Sequence, residues 1–155
     1  MQYQGTLISV SDVDVSKRFY TQLLQQPILM DIGVHVVFPG FSLQADYAEL
    51  VGLEPASVMK KSHNFQLYFE VEDLDSWVKI LTEAEVSFVH GKKEYPWGQN
   101  VVRVYDPDMH IVEISESMVV VVQRFLKQGM SVEQAAEASM FPLEFVQKCR
   151  DEREV

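Results

Sequence analysis

The chain has little of what marks secreted or membrane proteins. It contains one cysteine among 155 residues, Cys149, so no disulfide can form within the chain. Such usage is typical of the reducing cytoplasm. The longest apolar run, residues 118–122, is too short to span a bilayer, and the first residues lack the pattern of a signal peptide. We therefore expect a cytoplasmic protein that has no membrane partner.

Basic residues are also scarce, with 13 Lys and Arg against 23 Asp and Glu and a net charge of −10. Sequence-independent binding to nucleic acid needs a basic surface, as does binding to an anionic membrane. The charge balance argues against both partners. Phosphate-binding loops, zinc-knuckle spacings and nucleophile elbows are absent from the sequence as well.

The segments that are present follow one order twice. The pattern predicts strands over 6–10, 28–32, 34–38 and 41–44 in the first half, and over 65–71, 86–89, 101–105 and 111–115 in the second. A helix follows the first strand of each half. In the first half the apolar positions of this helix are Val15, Phe19 and Leu23, and in the second half the helix starts at Asp73. Residues 45–62 are expected to be irregular or partly helical and are the best candidate linker, and residues 91–100 are expected to form a polar loop. Neither half buries enough surface alone, so we expect the two repeats to pair.

The last forty residues depart from this repeat. They predict a helix over 118–126, a stop at Gly129, a capping box at Ser131 and Gln134, and a further helix near Pro142. Three short helices suggest a helix-turn-helix, but the acidity of the chain argues against DNA contact. We interpret residues 117–155 as a helical extension that covers an edge or pocket or mediates dimerisation.

Three short stretches carry a resemblance to a known superfamily. The first comprises residues 7–12 together with Ser16 and residues 19–20. The second comprises residues 69–75. The third is Asp106-Pro107-Asp108 together with residues 111–114. In this order they resemble the vicinal oxygen chelate superfamily of glyoxalases, bleomycin-resistance proteins and extradiol dioxygenases. The resemblance implies an α+β fold in residues 1–116, with two paired βαβββ modules at about 1–60 and 63–116. The modules would form a curved mixed sheet with a concave cup, commonly in a homodimer.

In metal-dependent members of the superfamily, four strands each place one ligand in the cup. The resemblance puts these positions at Gly5, Gln44, Gln66 and Glu113, and only Glu113 is a usual ligand type. It therefore implies no metal cofactor; a divalent metal, if present, would use Gln44, Gln66 and Glu113. The superfamily also has Gly-Asn after its Asp-Pro-Asp turn, whereas this chain has Met109-His110.

Strand alternation predicts the lining of the cup independently of the family. We expect ligand-binding side chains at Gln44, Gln66, Tyr68, Glu70, Arg103, Tyr105 and Glu113, with Trp97 in the polar loop either as a lid or as simple packing. A hairpin through residues 106–110 places Arg103 opposite Glu113, where the two can form an ion pair. His35 is expected to be a hydrogen-bonded structural residue, while His90 and His110 are expected in loops.

Three functions follow from these expectations. The first is metal-independent binding of a small, flat or amphipathic molecule in the cup. The second is a lyase, isomerase or dioxygenase with Glu113 as the only candidate catalytic residue or strong metal ligand. Arg103 beside Glu113 argues against a general base there, because a neighbouring cation stabilises the charged carboxylate. The third is a regulatory or interaction module that uses the C-terminal helices.

Overall fold

The computed structural model of the protein describes residues 1–151. The strands are β1 Thr6–Ser9, β2 Met30–Asp31, β3 His35–Phe38, β4 Phe41–Gln44, β5 Gln66–Val71, β6 Phe88–Glu94, β7 Asn100–Tyr105 and β8 Ile111–Glu116. The α-helices are α1 Val13–Arg18, α2 Tyr47–Val51, α3 Leu74–Glu83, α4 Met118–Lys127, α5 Val132–Ser139 and α6 Leu143–Asp151. A π-helical turn, Phe19–Leu23, continues α1, and a 3₁₀ turn, Pro55–Ser57, follows α2.

The predicted repeat is confirmed, because the order strand, helix, strand, strand, strand occurs twice. The strands form two four-stranded mixed sheets, ordered β1-β4-β3-β2 and β5-β8-β7-β6, and in each sheet the first and last strands of the module are parallel. The fold class is therefore α+β, as predicted. The chain forms two compact units, the first comprising residues 1–66, 80–87 and 105–111. The second comprises residues 67–79, 88–104 and the described chain from 112 onward. A domain boundary after residue 116 stays a prediction.

In the first unit, the helix after β1 buries a different face from the one that apolar spacing suggests. Asp12 caps the helix as predicted, accepting a hydrogen bond from the Val15 amide at 3.0 Å. Val15 itself is 38% exposed, whereas Ser16, Tyr20 and Leu24 are buried. Two of these buried residues carry hydroxyl groups, and buried hydroxyls need hydrogen-bond partners. The helix is therefore oriented by polar contacts as well as by apolar packing.

Those partners come from the Asp106-Pro107-Asp108 turn, whose two carboxylates are buried. Asp106 accepts a hydrogen bond from the Tyr20 hydroxyl at 2.7 Å, and Asp108 accepts one from the Ser16 hydroxyl at 3.1 Å. Burial alone would raise the pKa of Asp108, but the hydrogen bonds that its carboxylate accepts outweigh burial and lower the pKa. Met109 follows with a φ of 69°, the left-handed conformation that glycine adopts most easily, so the turn forms although the family's glycine is replaced.

In the second unit, β5 follows the predicted alternation, with Leu67 buried and Tyr68 half exposed. The predicted polar loop over 91–100 was wrong in its first half, because β6 runs from Phe88 to Glu94. This strand lies at the edge of its sheet, and its pairing with β7 shifts register on both sides of His90. Edge strands with such bulges carry polar side chains and show no apolar alternation. His90 therefore lies in a strand, and the expectation of a loop there was wrong.

The three C-terminal helices pack around a core of their own within the second unit. Met118, Val121, Val122 and Phe125 from α4 meet Ala135 from α5 and Val146 and Cys149 from α6. Ser131 forms the predicted capping box with Gln134. None of the helices in residues 1–151 has the length and apolar character that a membrane span requires.

Candidate functional site

The second sheet buries two carboxylates on β8, and the deeper of them is Glu113, which is 5% exposed. Its side chain forms an ion pair with Arg103 on the neighbouring strand β7 and accepts a hydrogen bond from the Ser115 hydroxyl at 3.1 Å. The predicted Arg103–Glu113 pair is confirmed. A carboxylate at this depth is costly without a partner, and the guanidinium supplies the opposite charge that offsets the cost.

Arg103 is held on its other side by two residues that the sequence did not single out. The guanidinium donates to Nε2 of His90 at 2.9 Å and to the Tyr95 hydroxyl, and its carbon lies 5.3 Å from the centroid of the Tyr95 ring. A guanidinium has donors only, so Nε2 of His90 is the acceptor. Nδ1 of His90 then donates to the Gly91 carbonyl at 2.7 Å. These contacts fix the tautomer of His90 and hold the guanidinium in one position.

Two predicted residues on β5, Tyr68 and Glu70, lie on the same face of this sheet. The Tyr68 hydroxyl donates to the Glu70 carboxylate at 2.6 Å and accepts a long hydrogen bond, 3.4 Å, from the Gln99 amide. Partial burial and the bond to Glu70 raise the pKa of Tyr68 to about 12, and the charge of Glu113 acts in the same direction. Tyr68 is therefore a neutral phenol at physiological pH, on a residue that is about half exposed.

The loop between β6 and β7 contributes a pair of aromatic side chains to the second unit. The rings of Tyr95 and Trp97 lie 5.0 Å apart, and the Trp97 indole donates to the Gln99 side chain at 2.9 Å. Trp97 also packs against the core of the C-terminal helices. The structure thus places Trp97 in contact with packed side chains; whether it also covers a ligand stays a prediction.

A second acid–arginine pair holds this loop in place. Glu116 accepts hydrogen bonds from Arg124 on α4 at 2.7 Å and from the backbone amide of Asn100 at 2.9 Å, while Arg124 also donates to the Gly98 carbonyl. Burial on its own would raise the pKa of Glu116; the bonds from Arg124 and Asn100 outweigh it and lower the pKa. The charged carboxylate thereby links β7, β8 and α4.

The other predicted site residues belong to the first unit or to its boundary. Gln44 is nearly buried, and its amide oxygen lies 2.9 Å from Nδ1 of His35, which is therefore a hydrogen-bonded histidine as predicted. The Tyr105 hydroxyl lies 2.8 Å from Nε2 of His63. Gln66 begins β5 and is exposed. Their part in ligand binding stays a prediction.

The family's metal positions do not fit a metal in this chain. Gly5 offers no side chain, the Gln44 amide is engaged by His35 and by the Ala45 carbonyl, and Glu113 is paired with a guanidinium. Within residues 1–151, no three His, Cys, Asp or Glu side chains are grouped closely enough to hold one ion. A cation beside Arg103 would also be repelled by it.

Sequence reasoning missed His90, Tyr95, Gln99 and Ser115 among the residues around Arg103 and Glu113. Ser115 could have been found from alternation, because it is two residues beyond Glu113 on the same strand. Tyr95 lies directly before the Pro96-Trp97-Gly98 turn that drew attention to Trp97. His90 could not have been found, since its strand pairs across two register shifts.

Comparison with known proteins agrees with this fold. Residues 3–119 match the model of the glyoxalase-like domain, so the chain belongs to the glyoxalase-like family. A crystal structure of a protein of unknown function from Agrobacterium tumefaciens is 32% identical, with a TM-score of 0.66 over 76% of this chain and 94% of that one. No curated protein matches the chain.

Two more distant structures share the fold. Lactoylglutathione lyase from Agrobacterium tumefaciens is 19% identical, with a TM-score of 0.60 over 75% of this chain and 93% of that one. A glyoxalase/bleomycin resistance protein/dioxygenase family enzyme from Burkholderia phytofirmans is 17% identical, with a TM-score of 0.63 over 72% and 94%. At these identities the likeness concerns the fold, and activity has to be argued from the site.

Proposed function

We propose that the protein binds a small molecule without a metal, on the face of the second sheet that carries Tyr68, Arg103 and Glu113. One observation carries the proposal. The carboxylate at the family's fourth ligand position, Glu113, is already paired with Arg103. A carboxylate neutralised in this way is a poor metal ligand, and the adjacent cation makes it a poor general base.

The chemistry of the face favours a flat aromatic ligand. Tyr68 is 51% exposed as a residue and its hydroxyl is anchored by Glu70, so the side chain offers a fixed aromatic surface for stacking. The Arg103 guanidinium and Glu70 provide charges of both signs for the polar groups of such a ligand. We further propose that the protein is cytoplasmic, which its single cysteine favours, and that it is a homodimer, as the resemblance to its family implies.

A thermal-shift screen of flat aromatic compounds, with bleomycin among them, tests the binding proposal. A compound that binds the folded chain raises the melting temperature by mass action. We expect Tyr68→Leu to weaken binding of a positive compound by about fivefold, since stacking on an aromatic ring contributes on the order of 1 kcal/mol. Tyr3→Leu is the matched control, because Tyr3 is 77% exposed and lies outside this face. Equal binding by wild type and Tyr68→Leu would contradict the proposed site.

Metal analysis and an enzyme assay separate this proposal from catalysis. We expect the purified protein to hold no stoichiometric Ni, Zn, Mn or Fe and to show no lactoylglutathione lyase activity after these metals are added. Stoichiometric metal in the wild type, lost in Glu113→Gln together with an activity, would show that the metal-independent proposal is wrong.

A further inference from the structure

The first unit contains a cavity of about 360 Å³ that is built from residues outside the face described above. Leu7 and Ser9 from β1 form one wall, Met59 and Phe65 come from the segment before β5, and His110 comes from the turn between β7 and β8. A cavity of about 150 Å³ holds benzene, so this one is large enough for a substituted aromatic ring.

His110 is held in one orientation by a buried carboxylate. Its Nδ1 lies 2.9 Å from Oδ2 of Asp106, whose side chain is fully buried. The same oxygen accepts the Tyr20 hydroxyl, and the other oxygen accepts two backbone amides, so Asp106 acts as a carboxylate acceptor throughout. Nδ1 of His110 must therefore carry a proton and donate it, which fixes the tautomer of the neutral ring.

The other ring nitrogen, Nε2, is then an acceptor in the neutral ring. Across residues 1–151, no side chain or backbone group forms a hydrogen bond with it, and no buried side-chain nitrogen or oxygen lacks a partner. Nε2 is consequently accessible, on a residue that lines the cavity. In the family's usual turn this position is Asn, so the imidazole is a feature of this chain.

The remaining walls define the kind of molecule that fits. None of the lining residues is Asp, Glu, Lys or Arg, which favours an uncharged ligand. The Phe65 ring lies 5.5 Å from the His110 ring, and together with Met59 it gives an aromatic and polarisable wall. We propose that this cavity binds a small uncharged aromatic alcohol or phenol, whose hydroxyl donates a hydrogen bond to Nε2 of His110.

The test compares para-cresol with its methyl ether, which has the same ring but no hydroxyl donor. Binding is measured by NMR titration at about pH 8, where para-cresol is neutral. We expect wild type to prefer para-cresol by about fivefold to tenfold, the value of one hydrogen bond. His110→Phe keeps a ring against Phe65 but removes Nε2, so this preference should disappear.

His63→Phe is the matched control, because His63 belongs to the same unit, bonds to Tyr105 and does not line the cavity. It should keep the preference for para-cresol. A His110→Phe protein that retains the preference, or a wild type that binds both compounds equally or neither, overturns the proposal. If His110→Phe fails to fold, the ring nitrogen signals of His110 in the wild type decide, since they must shift when para-cresol binds. Binding without such a shift also overturns the proposal.

Discussion

Replacing Arg103 alone should lower the free energy of unfolding far more than replacing both members of the Arg103–Glu113 pair. In Arg103→Met the cation is lost, while the Glu113 carboxylate, 5% exposed, keeps the hydroxyl bond from Ser115. Leaving a buried charge without its counter-ion typically costs about 3–5 kcal/mol of unfolding free energy. We expect a loss near the lower end, about 3 kcal/mol, because the hydroxyl bond remains.

Replacing Glu113 alone should lower the free energy of unfolding less than replacing Arg103 alone. In Glu113→Leu the guanidinium keeps His90 and Tyr95 as acceptors, and its side chain is 20% exposed, so water can reach it. We expect a loss of about 1–2 kcal/mol. The double variant Arg103→Met, Glu113→Leu replaces the pair by apolar side chains of similar size, and such replacements are often neutral. Its loss should be below about 1 kcal/mol, which gives a coupling of about 3–5 kcal/mol between the two residues.

Tryptophan fluorescence gives a local assay for these variants. The chain has two tryptophans, Trp77 and Trp97, and both belong to the second unit. Urea unfolding followed at these residues therefore reports the unit that contains the pair. A loss below about 1 kcal/mol in Arg103→Met, or losses that simply add in the double variant, would refute the argument that the pair offsets the burial of Glu113.

Three further variants test other parts of the structure. Gly98→Ala should lose about 2 kcal/mol in urea unfolding, because φ is +81° there and the new Cβ would lie 2.3 Å from Cζ of Phe125; an unchanged midpoint would contradict this packing. Tyr20→Phe should lower the free energy of unfolding by about 1.5–3 kcal/mol, measured by circular dichroism, because it removes a buried hydrogen bond to the Asp106 carboxylate. A loss below about 0.5 kcal/mol, which is typical of a surface substitution, would contradict a stabilising role for this bond. Glu116→Gln should flatten the pH dependence of stability in acid. The pKa of Glu116 is lowered in the folded state, so its contribution is present above the ordinary value of 4.5 and is lost as the pH falls through the folded pKa. Parallel pH profiles for wild type and Glu116→Gln would contradict the role of this carboxylate.

The sequence was most informative where one physical rule acts locally. Alternation along β5 predicted which side chains face away from the core, and hairpin register predicted that Arg103 lies opposite Glu113. Both inferences need only the strand period and one turn. The caps at Asp12 and Ser131 were predicted for the same reason, because a cap is formed by residues within one turn of it.

Sequence reasoning failed where distant segments meet. The buried face of the first helix is chosen by Asp106 and Asp108, which follow it by more than eighty residues, and apolar spacing alone favoured another face. The sequence pattern predicts a strand over 86–89 but a loop over the second part of β6, because the polar residues there lie at a sheet edge, where burial imposes no period.

The sequence by itself therefore determined the family, the doubled βαβββ order and the presence of one carboxylate among apolar neighbours. It did so because hydrophobic period, caps and turns are properties of short segments. Only the tertiary structure decided what surrounds the predicted Arg103–Glu113 pair and what lies beside His110. His90 and Tyr95 hold Arg103 across a strand pairing with two register shifts, and the cavity lined by His110 takes its other walls from β1 and from the segment before β5, which no local pattern connects.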